Sequence, residues 1–153
     1  MVTSEKVIKI IATGFGAGLS PVMPGTAGTL VGALICLAFL PLHWILRFLF
    51  VIFLTGVAVY VSHRAEEIYG KKDDQRIVID EIAGFQIAML PVAINFLNLL
   101  LAFVLFRIFD ILKPFPLRRF QEFPGGRGVV ADDVGAGIYT AAILLLLLIF
   151  GVL

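Results

Sequence analysis

Long apolar segments alternate with shorter polar segments along the chain. Four segments are predominantly apolar, at residues 27–42, 44–61, 82–106 and 134–153. A helix that crosses a bilayer needs about 20 apolar residues, and within the hydrocarbon only helices and closed barrels satisfy the backbone. The pattern therefore predicts an all-α fold, in which a small polytopic integral membrane protein forms a helical bundle.

The composition agrees with a membrane protein of one domain. Hydrophobic residues make up 60% of the 153 residues and charged residues 15%, whereas a typical soluble domain has about 25% charged residues. No linker or internal repeat divides the sequence, so residues 1–153 are predicted to form a single membrane-embedded domain. A net charge of +1 gives no reason to expect nucleic acid as a partner.

The third apolar segment allows two topologies. Residues 82–106 could form one tilted span or two short helices that fold back as a hairpin. A single span would separate the polar segments 62–81 and 107–133 by about 30 Å of hydrocarbon. Of the 12 Lys and Arg residues, only Arg47 lies outside these two segments and the polar segment 1–26. The positive-inside rule then assigns all three polar segments to the cytoplasm, which favours the hairpin.

The N-terminal polar segment combines a short predicted helix with a loop rich in glycine and proline. Residues 1–13 have the apolar spacing of an interfacial helix. In the loop that follows, Thr26 is predicted to be the N-cap of a helix that begins at Ala27, and the free amides of this helix would suit a phosphate group. Alternatively, the glycines serve helix packing, as the spacing of Gly28 and Gly32 suggests.

Two acidic pairs stand at the starts of apolar helices, where an ionised carboxylate is costly unless a cation compensates it. The pairs are Asp80 with Glu81 and Asp132 with Asp133. We predict that these four residues bind a metal, and oxygen ligands without a Cys or His cluster make Mg²⁺ the best match. By contrast, Asp73 and Asp74 lie among lysines, and we expect them to belong to a solvated loop.

Further charged residues follow the end of the third apolar segment. Arg107 and Asp110 share one face of a helix, so Asp110 is either a site residue or the partner of Arg107 in an ion pair. Lys113 and Arg118 lie just beyond this helix. Both can offset negative charge on phosphoryl oxygens.

These motifs together resemble a known family. They are GFGAGLSPVMPGTAGTL from residue 14, IVIDEIAG from residue 77, FRIFDILKPFPLR from residue 106 and GGRGVVADDVGAGIY from residue 125. The set is similar to the phosphatidylglycerophosphatase A family, bacterial membrane enzymes that dephosphorylate phosphatidylglycerophosphate to phosphatidylglycerol. One departure is Gln121 followed by Glu122, where the family commonly has an Asp.

The resemblance implies a Mg²⁺-dependent lipid phosphatase at the cytoplasmic face of the bacterial inner membrane, with a phospholipid as substrate. A water activated by the metal would attack phosphorus. The residues assigned to catalysis are Asp80, Asp110, Lys113 and Thr26. The residues assigned to the substrate phosphate are Ser20, Gly25, Thr26, Lys113 and Arg118.

Three alternatives stay open. A covalent route through Thr26, Ser20 or an Asp would replace the water nucleophile. A CDP-alcohol transferase also uses Mg²⁺ and acidic membrane helices, but its D-G-x-x-A-R core is missing from this sequence. A non-enzymatic ion-binding membrane protein should bury acids near mid-membrane, whereas these acids are predicted to lie at one edge.

Overall fold

The regular secondary structure is helical throughout the described part of the chain. The computed structural model describes residues 2–39 and 42–153, with side chains described from Ser4 onward. Its helices are α1 Val2–Ala12, α2 Pro24–Ala38, α3 Trp44–Tyr69, α4 Ile79–Ala88, α5 Phe96–Leu112, α6 Leu117–Phe120 and α7 Gly126–Ile149. A 3-10 turn at Ala17–Leu19 precedes α2. The all-α prediction is confirmed, including a helix within residues 1–13.

Two of the described helices are long and apolar enough to cross a membrane. They are α3, with 26 residues, and α7, with 24 residues. At 1.5 Å per residue they measure about 39 and 36 Å, more than the roughly 30 Å of a bilayer core. Only 28% and 39% of their most apolar windows are buried inside the protein. The exposed remainder is apolar surface of the kind that faces lipid, which is consistent with a small membrane protein.

The third apolar segment forms a hairpin, as the charge distribution predicts. The arms are α4 and α5, and residues 89–95 reverse the chain between them. Asn95 caps α5 by accepting a hydrogen bond from the Asn98 amide at 2.9 Å, and the Asn98 side chain donates to the carbonyl of Ala93 at 2.9 Å. Arg47 donates to the carbonyl of Met89 at 2.7 Å, at the end of α4. The polar groups of the reversal are therefore partly satisfied within the protein.

Glycines allow α4 to lie in close contact with two neighbouring helices. A Cβ atom at Gly84 would lie 2.5 Å from the Asp133 carbonyl oxygen of α7, and one at Gly137 would lie 2.3 Å from the Gly84 carbonyl oxygen. On the other side of α4, a Cβ at Gly28 would lie 2.6 Å from the Cβ of Val78. Gly32 packs in the same way, so the packing interpretation of Gly28 and Gly32 is confirmed.

The start of α2 differs from the prediction. The helix begins at Pro24 rather than at Ala27, and its N-cap is Met23, which has φ 50°. Thr26 is therefore not the N-cap, since it lies within the first turn and its amide donates to the Met23 carbonyl. The physical reason is that proline is well suited to the first helical position, where its missing N–H has no partner to lose.

The three polar segments meet at one end of the bundle. The Val78 amide donates to the carbonyl of Ala12 at 2.8 Å, which ties the N-terminal segment to the chain before α4. Lys72 donates to the carbonyl of Gln121 at 2.9 Å, which ties the segment after α3 to the one before α7. The antiparallel packing of α3 and α7 brings His63 against Gly125 at the same end.

The glycine contact between α4 and α7 generates a test. We expect Gly84→Ala to lower the free energy of unfolding by about 1–3 kcal/mol, because the added methyl group forces two backbones apart. The matched control is Gly56→Ala in α3, where a Cβ would meet nothing within 4 Å. Thermal unfolding in detergent micelles measures both variants, and equal stability of Gly84→Ala and wild type would contradict the close packing.

Candidate active site

A cavity of about 350 Å³ lies at the end of the bundle where the polar segments meet. It is bounded by the starts of α2, α4 and α7, by the end of α5 and by the loop after α3. The charged side chains that line it are Asp73, Asp80, Glu81, Arg107, Asp110, Lys113, Asp132 and Asp133. The hairpin is the reason that residues from both arms reach a single cavity.

Three carboxylates in this cavity are placed to hold a metal ion together. Asp80, Glu81 and Asp133 each offer an oxygen, and these oxygens lie within 4.8 Å of one another. Asp80 and Asp133 are almost completely buried. Each of the three also has a buried carboxylate oxygen without a hydrogen-bond partner among the described residues, namely Asp80 Oδ1, Glu81 Oε2 and Asp133 Oδ1. Buried, unpartnered carboxylate oxygens at this spacing fit a hard divalent cation.

The glycine contacts explain why these acids come together. Asp80 lies one helical turn before Gly84, and Asp133 lies one turn before Gly137. Because α4 and α7 touch through their backbones at these two glycines, the preceding turns are also close. Both acidic pairs are evident in the sequence, whereas the contact that joins them is visible only in three dimensions.

Asp132 lies beside this group of acids and forms a salt bridge with Lys113. It is buried, and its Oδ1 has no hydrogen-bond partner. Lys113 follows α5 in the left-handed conformation, with φ 44°. Burial opposes the charge on Lys113, but the hydrogen bond to Asp132 and the nearby acids outweigh it, so the pKa of Lys113 is raised. Lys113 therefore contributes a cationic side chain to the cavity, paired with Asp132.

Arg107 and Asp110 form the ion pair that the sequence offered as an alternative. The guanidinium and the carboxylate lie 2.5 Å apart, and their side chains are only 15% and 12% exposed. Both residues nevertheless line the cavity. Arg107 was missed as a candidate site residue, and its position close to Gly25 is visible only in three dimensions. A Cβ at Gly25 would lie 2.3 Å from Glu81 Oε1 and 3.1 Å from Arg107 Nη1.

Three residues predicted to bind the substrate phosphate lie outside the lining of this cavity. Ser20 donates to the carbonyl of Val22 at 2.8 Å. Thr26 has a buried hydroxyl without a hydrogen-bond partner. Arg118 lines a neighbouring cavity, which shares Lys113 with the acidic one. Gly25 and Lys113, the other two predicted residues, do line the acidic cavity.

The two acids expected in a solvated loop have different surroundings from each other. Asp74 is only 5% exposed and accepts hydrogen bonds from the Arg76 guanidinium at 2.7 and 3.0 Å. These bonds hold the pKa of Asp74 below its ordinary value. Asp73 is exposed but lines the cavity, with φ 50°. The neighbouring lysines at 71 and 72 led to the prediction of a solvated loop. Neither the burial of Asp74 nor the position of Asp73 at the cavity could be predicted from them.

The fold and the cavity together define a class, a small helical membrane protein with a carboxylate-rich site at one end of its bundle. The sequence profile of the phosphatidylglycerophosphatase A family matches residues 10–148, a range that contains every candidate site residue. The chain belongs to this family of phosphatases. No solved structure shows a significant match to it.

Named relatives cover most of the chain. It is 38% identical over 137 residues to phosphatidylglycerophosphatase A of Escherichia coli, covering 88% of this chain and 80% of the relative. It is 39% identical over 141 residues to the Haemophilus influenzae protein of the same name, covering 89% and 85%. It is also 41% identical over 140 residues to a Bacteroides thetaiotaomicron protein named "Putative phosphatidylinositol-3-phosphatase", covering 86% and 87%.

The acidic group allows a test in which a loss of metal binding is distinguished from a loss of stability of the fold. We expect Asp80→Asn to raise the unfolding temperature in EDTA, because a neutral amide relieves repulsion among buried carboxylates. In the wild type, saturating Mg²⁺ should raise the unfolding temperature, since a ligand of the folded state stabilises it. The variant should lose most of this shift.

The control for this prediction is Glu122→Gln, an exposed acid that does not line the cavity. Glu122→Gln should keep the full shift with Mg²⁺. A Mg²⁺ shift that is unchanged in Asp80→Asn would show that Asp80 does not bind the ion.

Proposed function

We propose that this protein is a Mg²⁺-dependent lipid phosphatase that hydrolyses phosphatidylglycerophosphate to phosphatidylglycerol and inorganic phosphate. The observation that carries the proposal is the group of carboxylates Asp80, Glu81 and Asp133, of which Asp80 and Asp133 are buried, in a chain that belongs to the phosphatidylglycerophosphatase A family. The names of the relatives from E. coli and H. influenzae support the choice of substrate.

Asp80, Glu81 and Asp133 would hold the Mg²⁺, whereas Asp132 is paired with Lys113 beside them. When bound, the ion would supply positive charge opposite the phosphoryl oxygens and a more acidic water. The donors fit this role because they are oxygens only, and because their unpartnered atoms need a positive partner. Without it, the buried carboxylates would repel one another and the substrate.

The cationic side chains of the cavity bind the phosphomonoester. The Lys113 ammonium, held by Asp132, donates hydrogen bonds to the phosphoryl oxygens as negative charge develops on them. Arg107 fixes the carboxylate of Asp110 at the cavity wall. Asp110 then accepts the proton of the attacking water, and the glycerol oxygen takes up a proton from a solvent water as its bond to phosphorus breaks. The absence of a side chain at Gly25 leaves room for Glu81 and Arg107 to lie together.

A second substrate has a specific observation in its favour. The relative at 41% identity carries a name that refers to phosphatidylinositol 3-phosphate, another phospholipid with a terminal phosphomonoester. The same carboxylates and cations would act on either monoester. Phosphate release from each of the two lipids therefore distinguishes the two headgroups.

Phosphate release tests the proposed activity. Purified protein in detergent should release inorganic phosphate from phosphatidylglycerophosphate with Mg²⁺ and not with EDTA. Asp133→Asn should lower turnover by at least about 100-fold, because it removes a charge that positions the ion. Glu122→Gln should retain the wild-type rate. Release from phosphatidylinositol 3-phosphate alone would favour the second substrate, and release from neither lipid would contradict the proposal.

We further propose that the protein lies in the bacterial inner membrane with the cavity facing the cytoplasm. The support is the clustering of Lys and Arg in the segments that meet at the cavity end. His43 lies at the start of α3, and the C-terminal end of α3 is at the cavity end. The segments around residues 71 and 122 should therefore lie on the opposite side of the membrane from residue 43.

Cysteine labelling tests this orientation in a Cys36→Ala background. Lys71→Cys and Glu122→Cys should react with a membrane-impermeant maleimide only in inverted vesicles, where the cytoplasmic face is outside. His43→Cys should react only in right-side-out vesicles. Labelling of positions 71 and 122 from opposite sides would contradict the hairpin, and the reverse pattern at all three positions would contradict the cytoplasmic orientation.

A further inference from the structure

A second cavity lies next to the acidic one and has the opposite charge. Its volume is about 380 Å³, and the two cavities share Lys113. Among the described residues, its lining contains three cations, Lys113, Arg118 and Arg119, and no carboxylate. Arg118 and Arg119 form no salt bridge within the described part of the chain. Lys113 is paired with Asp132, so the positive charge left without a neutralising carboxylate among the described residues is that of the two arginines.

The cationic cavity also borders exposed apolar side chains. Phe115 lines it and is 73% exposed, and Leu112 lines it and is 61% exposed. The Arg119 guanidinium lies 5.0 Å from the centre of the Phe115 ring. Cations beside exposed apolar groups are typical of a membrane interface, where a lipid phosphate lies just above the acyl chains.

The substrate has two phosphates with different positions relative to the membrane. In phosphatidylglycerophosphate, the two phosphates esterify the two ends of one glycerol. The phosphodiester connects this glycerol to the diacylglycerol and so lies near the acyl chains, whereas the monoester is terminal. The protein offers a matching pair of adjacent sites, one acidic and able to hold a metal, the other cationic and bordered by apolar groups.

We propose that the cationic cavity binds the phosphodiester of the lipid substrate while the terminal monoester occupies the acidic cavity. This inference rests on the proposed function. Arg118 and Arg119 hold the diester, Lys113 lies between the two phosphates, and Phe115 contacts the acyl region. The role of Arg118 is thereby changed from a ligand of the reacting phosphate to a ligand of the other one.

The pair of sites makes the enzyme selective for lipids that carry both phosphates. Phosphatidic acid has a monoester directly on the diacylglycerol and lacks a diester, so it cannot occupy both cavities. Binding energy from the diester would be lost for such a lipid. The same arrangement accepts any headgroup that connects a diester to a nearby monoester, which includes phosphatidylinositol 3-phosphate.

Kinetics with two lipids test the inference. In micelles of an uncharged detergent, Arg118→Gln should lower kcat/KM for phosphatidylglycerophosphate by about 10-fold, as expected for a lost hydrogen bond to a charged group. The loss should arise mainly from KM. Arg119→Gln should have an effect in the same direction. For phosphatidic acid, both variants should retain the wild-type kcat/KM, because this lipid lacks the group that the arginines bind.

The matched control is Arg127→Gln, which removes an exposed arginine that lines neither cavity. It should leave both substrates unaffected. Equal losses with both lipids in Arg118→Gln would overturn the inference, since they would indicate general attraction of anionic lipid or contact with the monoester. No loss with either lipid would also overturn it. Failure of the proposed function is a separate result, in which the wild type releases no phosphate from phosphatidylglycerophosphate.

Discussion

The close contact between α4 and α7 is the constraint on which the site depends. Gly84 and Gly137 let the two backbones approach to a distance that no side chain would allow. One turn earlier, the same two helices carry Asp80 and Asp133, so the backbone contact sets the separation of the carboxylates. On the far side of α4, Gly28 lets α2 pack closely against Val78, and Gly25 of the same helix lies against Glu81. Glycines at the helix contacts thus position the acidic residues of the cavity.

Charge balance explains how so many acids are tolerated in a small bundle. Two of the carboxylates have cationic partners within the protein, since Asp110 is paired with Arg107 and Asp132 with Lys113. Asp80, Glu81 and Asp133 have no salt-bridge partner among the described residues, and each has a buried oxygen without a hydrogen-bond partner there, as Asp132 also does. The cavity therefore combines two acids that are paired with its own cationic side chains and three acids that are placed to bind a metal ion together.

Much of this arrangement could be predicted from the sequence, because it depends on local patterns. The helices follow from apolar segment lengths, the hairpin from the distribution of Lys and Arg, and the acidic candidates from their places at helix starts. The failures concern features that depend on tertiary contacts. Asp74 is buried and paired with Arg76, and Arg118 lines a separate cavity. The error at Thr26 was local, because the helix already begins at Pro24, within the segment that was predicted to be a loop.

Three non-glycine residues at the acidic cavity have a backbone conformation that glycine adopts more easily. Met23, Asp73 and Lys113 all line the cavity, and all have positive φ, between 44° and 50°. A left-handed conformation costs a residue with a side chain roughly 1–2 kcal/mol, and glycine would avoid that cost. Selection for stability alone would therefore favour glycine at these three positions. Lys113 and Asp73 instead place charged side chains at the cavity, at a cost in stability that glycine would not carry.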